Sequence, residues 1–233
     1  MQTVILCGGK GLRLGGEGTP KSLFLIGDKP LLWHIMRIYS FYGVKDFILC
    51  LGYEGAKIRE YFKDNREWKI RFVDTGLETN TGGRIAKIKR YVKGDSFFAT
   101  YGDGLADIDL NKLNRFHREH HRAASLTVVK PFSLFGIVGV DSATQVVTHF
   151  EEKPLLDHWI NGGFFVFNRK VFDFLKMGDV LEKDTFGRMV KGREITAFKH
   201  HGFWECMDTY KDFLKLNELW KKKKAPWAVW KRA

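Results

Sequence analysis

The sequence predicts an α/β protein built on a doubly wound, mainly parallel mixed sheet with a small β-rich extension. Three observations carry this. Short β-favouring apolar runs alternate with helix-period segments through the first hundred residues, in the order βαβαβαβ. The connections between them are short, as right-handed crossovers in a parallel sheet require. A glycine-rich stretch follows the first strand at once, and in such sheets ligands collect at the carboxyl ends of the strands.

In chain order, residues 3–7 (Thr-Val-Ile-Leu-Cys) read as a buried first strand. Residues 22–27 form a short extended segment, and Asp28-Lys29-Pro30 opens a helix with proline early. Leu31, Ile35, Ile38, Tyr39 and Tyr42 give that helix one apolar face, and Gly43 stops it. Residues 46–51 are the second strand, 54–62 a helix, 69–73 the third strand, 82–92 a helix and 96–101 the fourth strand. The second half is richer in strands, with candidates at 125–129, 136–140, 146–150 and 163–167 bounded by Gly, Asp and Asn. A helix over 210–222 closes the chain. The second half then extends the first sheet and covers one side of a pocket.

Composition bounds the rest. The 233 residues suit one domain, and 44% hydrophobic content supports a sizeable core. A net charge of +12 suits anionic partners: nucleic acid, an anionic membrane surface or a small polyanion. No basic segment interleaves stacking aromatics, which argues against nucleic acid. The Lys221–Lys224 run reads as a solvated helix end. No run approaches membrane-spanning length and no leader precedes Met1, so the expectation is a cytoplasmic protein with no membrane partner. Cys7, Cys50 and Cys206, odd in number and set among apolar residues, read as reduced core thiols.

The chemistry begins at Gly8, Gly9 and Gly11, where uncovered N–H groups beside Arg13 and Lys21 suit a polyphosphate. It is not a Walker loop, because Pro20 precedes Lys21-Ser22, nor a dinucleotide fingerprint, because Gly9-x-Gly11 leads to Leu14. Tyr101-Gly102-Asp103-Gly104 places a carboxylate just past the fourth strand, either an Asp-Gly turn or half of a Mg²⁺ site. Met207-Asp208-Thr209 supplies a second carboxylate, unless Asp208 caps the last helix. His117, His120 and His121 share a helix face whose charged neighbours suggest solvent. Phe203-Trp204 either borders a pocket or sits in the core, and Trp227 and Trp230 pack the tail on the body.

Gly-Gly-x-Gly-x-Arg-Leu followed by Pro-Lys resembles the opening signature of the sugar nucleotidyltransferases. With Leu32-Trp33-His34-Ile35-Met36, Val73-Asp74-Thr75-Gly76, Thr81-Gly82-Gly83-Arg84, Glu152-Lys153-Pro154, Ile160-Asn161-Gly162-Gly163-Phe164-Phe165, Gly202-Phe203-Trp204 and Ala225-Pro226-Trp227, the sequence is similar to glucose-1-phosphate cytidylyltransferases. The resemblance implies one Rossmann-like domain of the nucleotide-diphospho-sugar transferase type over 1–233, with 1–105 holding nucleotide and 106–233 the acceptor. It implies that CTP and a sugar 1-phosphate are joined with Mg²⁺ as cofactor, in a homo-oligomer. Most relatives that use other bases carry Gly-Thr-Ala-Gly where this chain has Thr-Gly-Gly-Arg, and that difference points to CTP. Carried over, Leu6, Gly8, Gly9, Gly11, Thr79, Thr81, Gly82 and Arg84 bind nucleotide, with Arg13, Lys21 and Asp103 catalytic. Asp103 and Asp208 hold the metal, and Glu152, Lys153 and Asn161 the acceptor. The chain departs from its relatives at Leu12, where they usually have threonine, at Ser22, where they have proline, and in a shorter 62–73 segment, which leaves the acceptor open to another sugar 1-phosphate or a different phosphate or phosphonate. A catalytically silent nucleotide-binding module is the competing class; the retained Arg13, Lys21, Asp103 and Asp208 argue against it.

Overall fold

A computed structural model describes residues 1–9 and 18–231. Among them, β1 (Gln2–Leu6), β4 (Asp46–Leu51), β5 (Lys69–Asp74), β6 (Ser96–Tyr101), β8 (Ala124–Val129), β11 (Ile160–Asn168) and β12 (Ile195–Lys199) form one sheet in the order β12-β8-β11-β6-β1-β4-β5. Pairing is parallel except at β11, which runs antiparallel to both β6 and β8. The mainly parallel mixed sheet expected from the sequence is therefore present.

Alternation along the strands builds two cores. Ile5, Phe47, Leu49, Phe98, Phe164 and Val166 face one layer, while Val4, Ile48, Cys50, Phe97, Phe165 and Phe167 face the other. Strands buried on both faces read as continuous apolar runs, as these do. The first layer receives α1 (Leu31–Phe41), α2 (Gly55–Phe62), α4 (Leu110–His120) and α6 (Tyr210–Lys221), through residues such as Ile35, Ile58, Leu113 and Leu216. The second receives α3 (Thr81–Lys87) and α5 (Phe186–Lys191), through Ile85 and Met189. Helices on both faces make the sheet doubly wound.

Several elements differ from the expectation. Residues 22–27 are not simply extended: a 3-10 turn at Lys21–Leu23 precedes β2 (Leu25–Ile26), which pairs with β3 (Lys29–Pro30). The helix expected over 82–92 ends at Lys87, because Ile88 leaves helical geometry (φ −95°, ψ 3°) and a 3-10 turn takes over at Lys89–Tyr91. Of the second-half strands, β8 and β11 join the main sheet. By contrast β9 (Ile137–Val140) and β10 (Val147–Glu151) form a separate antiparallel ribbon whose apolar residues are largely exposed. The sequence reading omitted β12, and with it β7 (Gly104–Ala106) and β13 (Trp204–Cys206), which pair antiparallel. That small pairing brings the chain around Asp208 back beside Asp103, with the Met207 N–H donating to the Asp103 carbonyl at 2.9 Å.

Candidate active site

At the carboxyl ends of β1, β5 and β6 lie two adjoining cavities. One, of about 510 Å³, is lined by Leu6, Gly8, Gly9, Leu77, Glu78, Thr79, Asn80, Thr81 and Arg84, together with Tyr101, Asp103 and Glu182. The other, of about 570 Å³, is lined by Asn161, Gly162, Gly163, Trp204, Cys206 and Asp208, and again by Tyr101, Asp103 and Glu182. The three shared residues form the boundary between them.

The first cavity rests on Arg84, which is only 5% exposed. Its guanidinium donates to the Leu51 carbonyl at 2.9 Å, the Gly8 carbonyl at 3.1 Å, the Leu77 carbonyl at 3.2 Å and the Thr75 hydroxyl at 2.6 Å. Burial holds its pKa below the usual arginine value. Expected in the nucleotide site, Arg84 lines the cavity, and its donors tie the end of β4 and the loops after β1 and β5 into one floor. Gly8 is required there: a Cβ would fall 2.2 Å from an Arg84 nitrogen and 2.8 Å from the Gly52 nitrogen. Thr79 donates to the Thr75 carbonyl at 2.5 Å and receives a bond from Lys87 at 2.9 Å. Gly82 is buried against Asp179 and does not line either cavity.

Between the cavities the charges converge. The Lys21 ammonium donates to Asp103 at 2.8 Å and to Asp208 at 2.5 Å. Burial alone would lower its pKa, but the Asp103 charge and the bonds to both carboxylates outweigh it and hold the lysine above its ordinary value. Asp208 is not the helix cap. Thr209 caps α6, its hydroxyl accepting from the Asp212 N–H while Asp212 accepts from the Thr209 N–H, and so Asp208 faces the site. Carboxylate oxygens of Asp103 and Asp208 and the Cys206 sulfur lie within 4.8 Å of one another. This donor set fits Mg²⁺, a hard cation held by one or two carboxylates with substrate phosphates and water. Burial and the nearby Asp103 charge push the Cys206 pKa up, and sulfur is a soft donor where Mg²⁺ takes oxygen. Cys206 is thus a polar-site thiol, not the core thiol expected; Cys7 and Cys50 are buried in the core.

In the second cavity Asn161 donates to the Tyr101 hydroxyl at 3.0 Å and accepts from the Gly163 N–H at 2.8 Å. Gly163 adopts φ +76° directly over the Tyr101 ring, a place no side chain could occupy. Trp204 donates to the Gly162 carbonyl at 2.7 Å and borders the cavity, while Phe203 packs on Trp227. Glu152 and Lys153 are not brought here. They follow β10, exposed and paired with each other at 2.6 Å. Arg13 and Gly11 lie outside the described residues. The histidine face also divides: His117 is buried against the Ser125 hydroxyl at 2.9 Å, whereas His120 and His121 are exposed. Sequence reasoning assigned no role to Tyr101 or Glu182, and left Trp204 open between a pocket border and the core; it borders the cavity. For Glu182 there was no signal, since it reaches the site through a single π turn at Leu181–Thr185.

Among the described residues no helix is long and apolar enough to cross a membrane. Residues 2–223 match the nucleotidyl transferase family model. The chain is 42% identical to the glucose-1-phosphate cytidylyltransferase of Salmonella typhimurium, covering 99% of this chain and all of the relative. It is 41% identical, over the same shares, to the enzyme of that name from Salmonella typhi. The crystal structure of HddC from Yersinia pseudotuberculosis has the same fold, with a TM-score of 0.74 at 24% identity over 94% of this chain and 99% of that one. The chain belongs to the nucleotidyl transferase family and is a nucleotidyltransferase enzyme.

Proposed function

We propose that this enzyme joins CTP to glucose 1-phosphate with Mg²⁺, giving CDP-glucose and pyrophosphate. The observation that carries the reading is the junction at Asp103, where a glycine-floored cavity and a polar second cavity meet beside paired carboxylates and Lys21. The choice of CTP and of glucose 1-phosphate rests on the Salmonella relatives.

A sugar phosphate has its second pKa near ~6, so at neutral pH it arrives as a dianion and needs no general base. One of its oxygens attacks the α-phosphorus of CTP. The bond from that phosphorus to the bridging oxygen breaks, and pyrophosphate leaves with the electron pair. The obstacle is charge repulsion between two anions. Asp103 and Asp208 would hold the cation, which supplies electrostatic stabilisation of the phosphates. Lys21, positively charged at neutral pH, offers a third N–H beyond the two spent on the carboxylates, and this one serves a phosphate oxygen. Arg84 keeps the Gly8 carbonyl and the loop after β5 in place, so the nucleotide meets a set floor. Asn161 and Tyr101 orient the acceptor.

Pyrophosphate release should be measured for five nucleoside triphosphates against a panel of sugar 1-phosphates, with Mg²⁺. CTP with glucose 1-phosphate is expected to exceed every other pair. Turnover led by another acceptor would replace the glucose assignment, and turnover led by another base would replace CTP. Asp103→Asn is expected to lower kcat at least 100-fold with the fold intact by circular dichroism; near wild-type turnover would remove Asp103 from the site. The same reading takes the enzyme as a homo-oligomer, supported by the exposed apolar β9–β10 ribbon. A monomer in sedimentation would reject that part.

A further inference from the structure

Glu182 stands between the two cavities and touches residues of each. One carboxylate oxygen accepts from the Thr81 hydroxyl at 2.8 Å, on the nucleotide side. The other accepts from the Tyr101 hydroxyl, whose oxygen in turn accepts from Asn161 at 3.0 Å, on the acceptor side. Thr81 is itself oriented, because its oxygen accepts from the Leu181 N–H at 2.9 Å. Every proton along this chain therefore points toward one acceptor-only group.

We propose that Glu182 is a positioning residue that couples the two cavities, so that nucleotide bound beside Thr81 tightens the hold of Tyr101 and Asn161 on the phosphorylated acceptor. The inference rests on the reading of the cavities as nucleotide and acceptor sites. The physical basis is shared ordering. Glu182 is exposed, and among the described residues its side-chain hydrogen bonds are these two, so the place of its carboxylate is set by the hydroxyls it joins. A nucleotide that immobilises Thr81 immobilises Glu182, and through it Tyr101 and Asn161, before the acceptor arrives. The ordering cost is then met once for both ligands, which is positive cooperativity without a change of fold. Coupling of this kind is reciprocal: the acceptor must tighten nucleotide binding by the same factor.

Glu182→Gln tests it sharply. Glutamine keeps the size but offers one acceptor oxygen where two hydroxyls need one each. Calorimetric titration of the Mg²⁺-containing protein would give the Kd of glucose 1-phosphate with and without saturating α,β-methylene-CTP, a non-reacting probe. In the wild type the nucleotide is expected to tighten the acceptor about five-fold or more. In Glu182→Gln and in Tyr101→Phe that ratio should fall to about one, with each variant's melting temperature unchanged. A merely structural role would weaken each ligand alone and leave the ratio as it is, and that result overturns the coupling. Wild-type protein that binds both probes independently also overturns it while leaving the proposed function standing. Wild-type protein that binds neither probe overturns both.

Discussion

At the scale of single residues, Arg84 decides more of the site than its place in a motif suggested. Thr-Gly-Gly-Arg pointed to CTP and Arg84 to the nucleotide site, and the arginine is indeed at the cavity, but its donors are committed to carbonyl and hydroxyl oxygens beneath it. Arg84→Met would leave several of those acceptors buried without partners, each costing about 1–3 kcal/mol. A loss of about 3 kcal/mol or more in chemical denaturation, with a raised KM for CTP, is expected. A variant with unchanged stability and a lowered kcat alone would assign Arg84 to the reacting phosphates after all. The motif was legible because residue identity and spacing carry it. Which partner a guanidinium takes was not, because that depends on Gly8 and Thr75 arriving from other strands. Glu152 and Lys153 teach the same lesson in reverse: a motif match placed them at the acceptor, and the chain places them on an exposed turn.

Among the elements, α6 shows how secondary structure aims a functional group. The sequence placed this helix within a residue of its observed span, and left open whether Asp208 capped it. Thr209 and Asp212 form a reciprocal cap, so the carboxylate of Asp208 is released toward Lys21. Further along, the Asn217 side chain accepts from the Gly27 N–H at 2.9 Å and donates to the Leu25 carbonyl at 3.1 Å, pinning the helix to the chain just after Lys21. Thr209→Ala should cost about 1 kcal/mol, or about 2–4 °C in melting temperature. It should also weaken Mg²⁺ dependence, since the start of the helix sets Asp208. An unaltered Mg²⁺ titration would show that β13, not the cap, holds that carboxylate. The strands of the first half were readable because β1 and β4 are nearly continuous apolar runs and β5 alternates charged with apolar residues. Short pairings such as β7 with β13 were not, because three-residue strands carry no periodicity.

For the whole molecule, two buried histidines, one of them tying distant parts of the chain together, make the fold sensitive to acid. His34 on α1 donates through Nε2 to the Ile26 carbonyl at 3.0 Å, and its Nδ1 accepts from Trp227 at 3.4 Å, nearly two hundred residues away. Trp33, Trp220 and Trp230 pack around the same ring. A second proton would sit on Nδ1, facing the Trp227 N–H with donor against donor. Burial lowers the pKa of His34 to about 4, and that of His117, which joins α4 to β8 through Ser125, also to about 4. In the unfolded chain both titrate near 6.5, so below that pH the unfolded state binds more protons than the folded one. Stability therefore falls as pH drops, by roughly 3 kcal/mol per histidine once pH nears 4. Carboxylates such as Glu194, held low by its bond from Lys170, lose their contribution only below about 4.5. The window from about 6.5 to 4.5 thus isolates the histidines. Melting temperature should decline steadily across it, and His34→Gln with His117→Gln, although less stable at pH 7.5, should show a flatter profile. A wild-type melting temperature constant from pH 7 to 5 would mean that neither ring is neutral by burial.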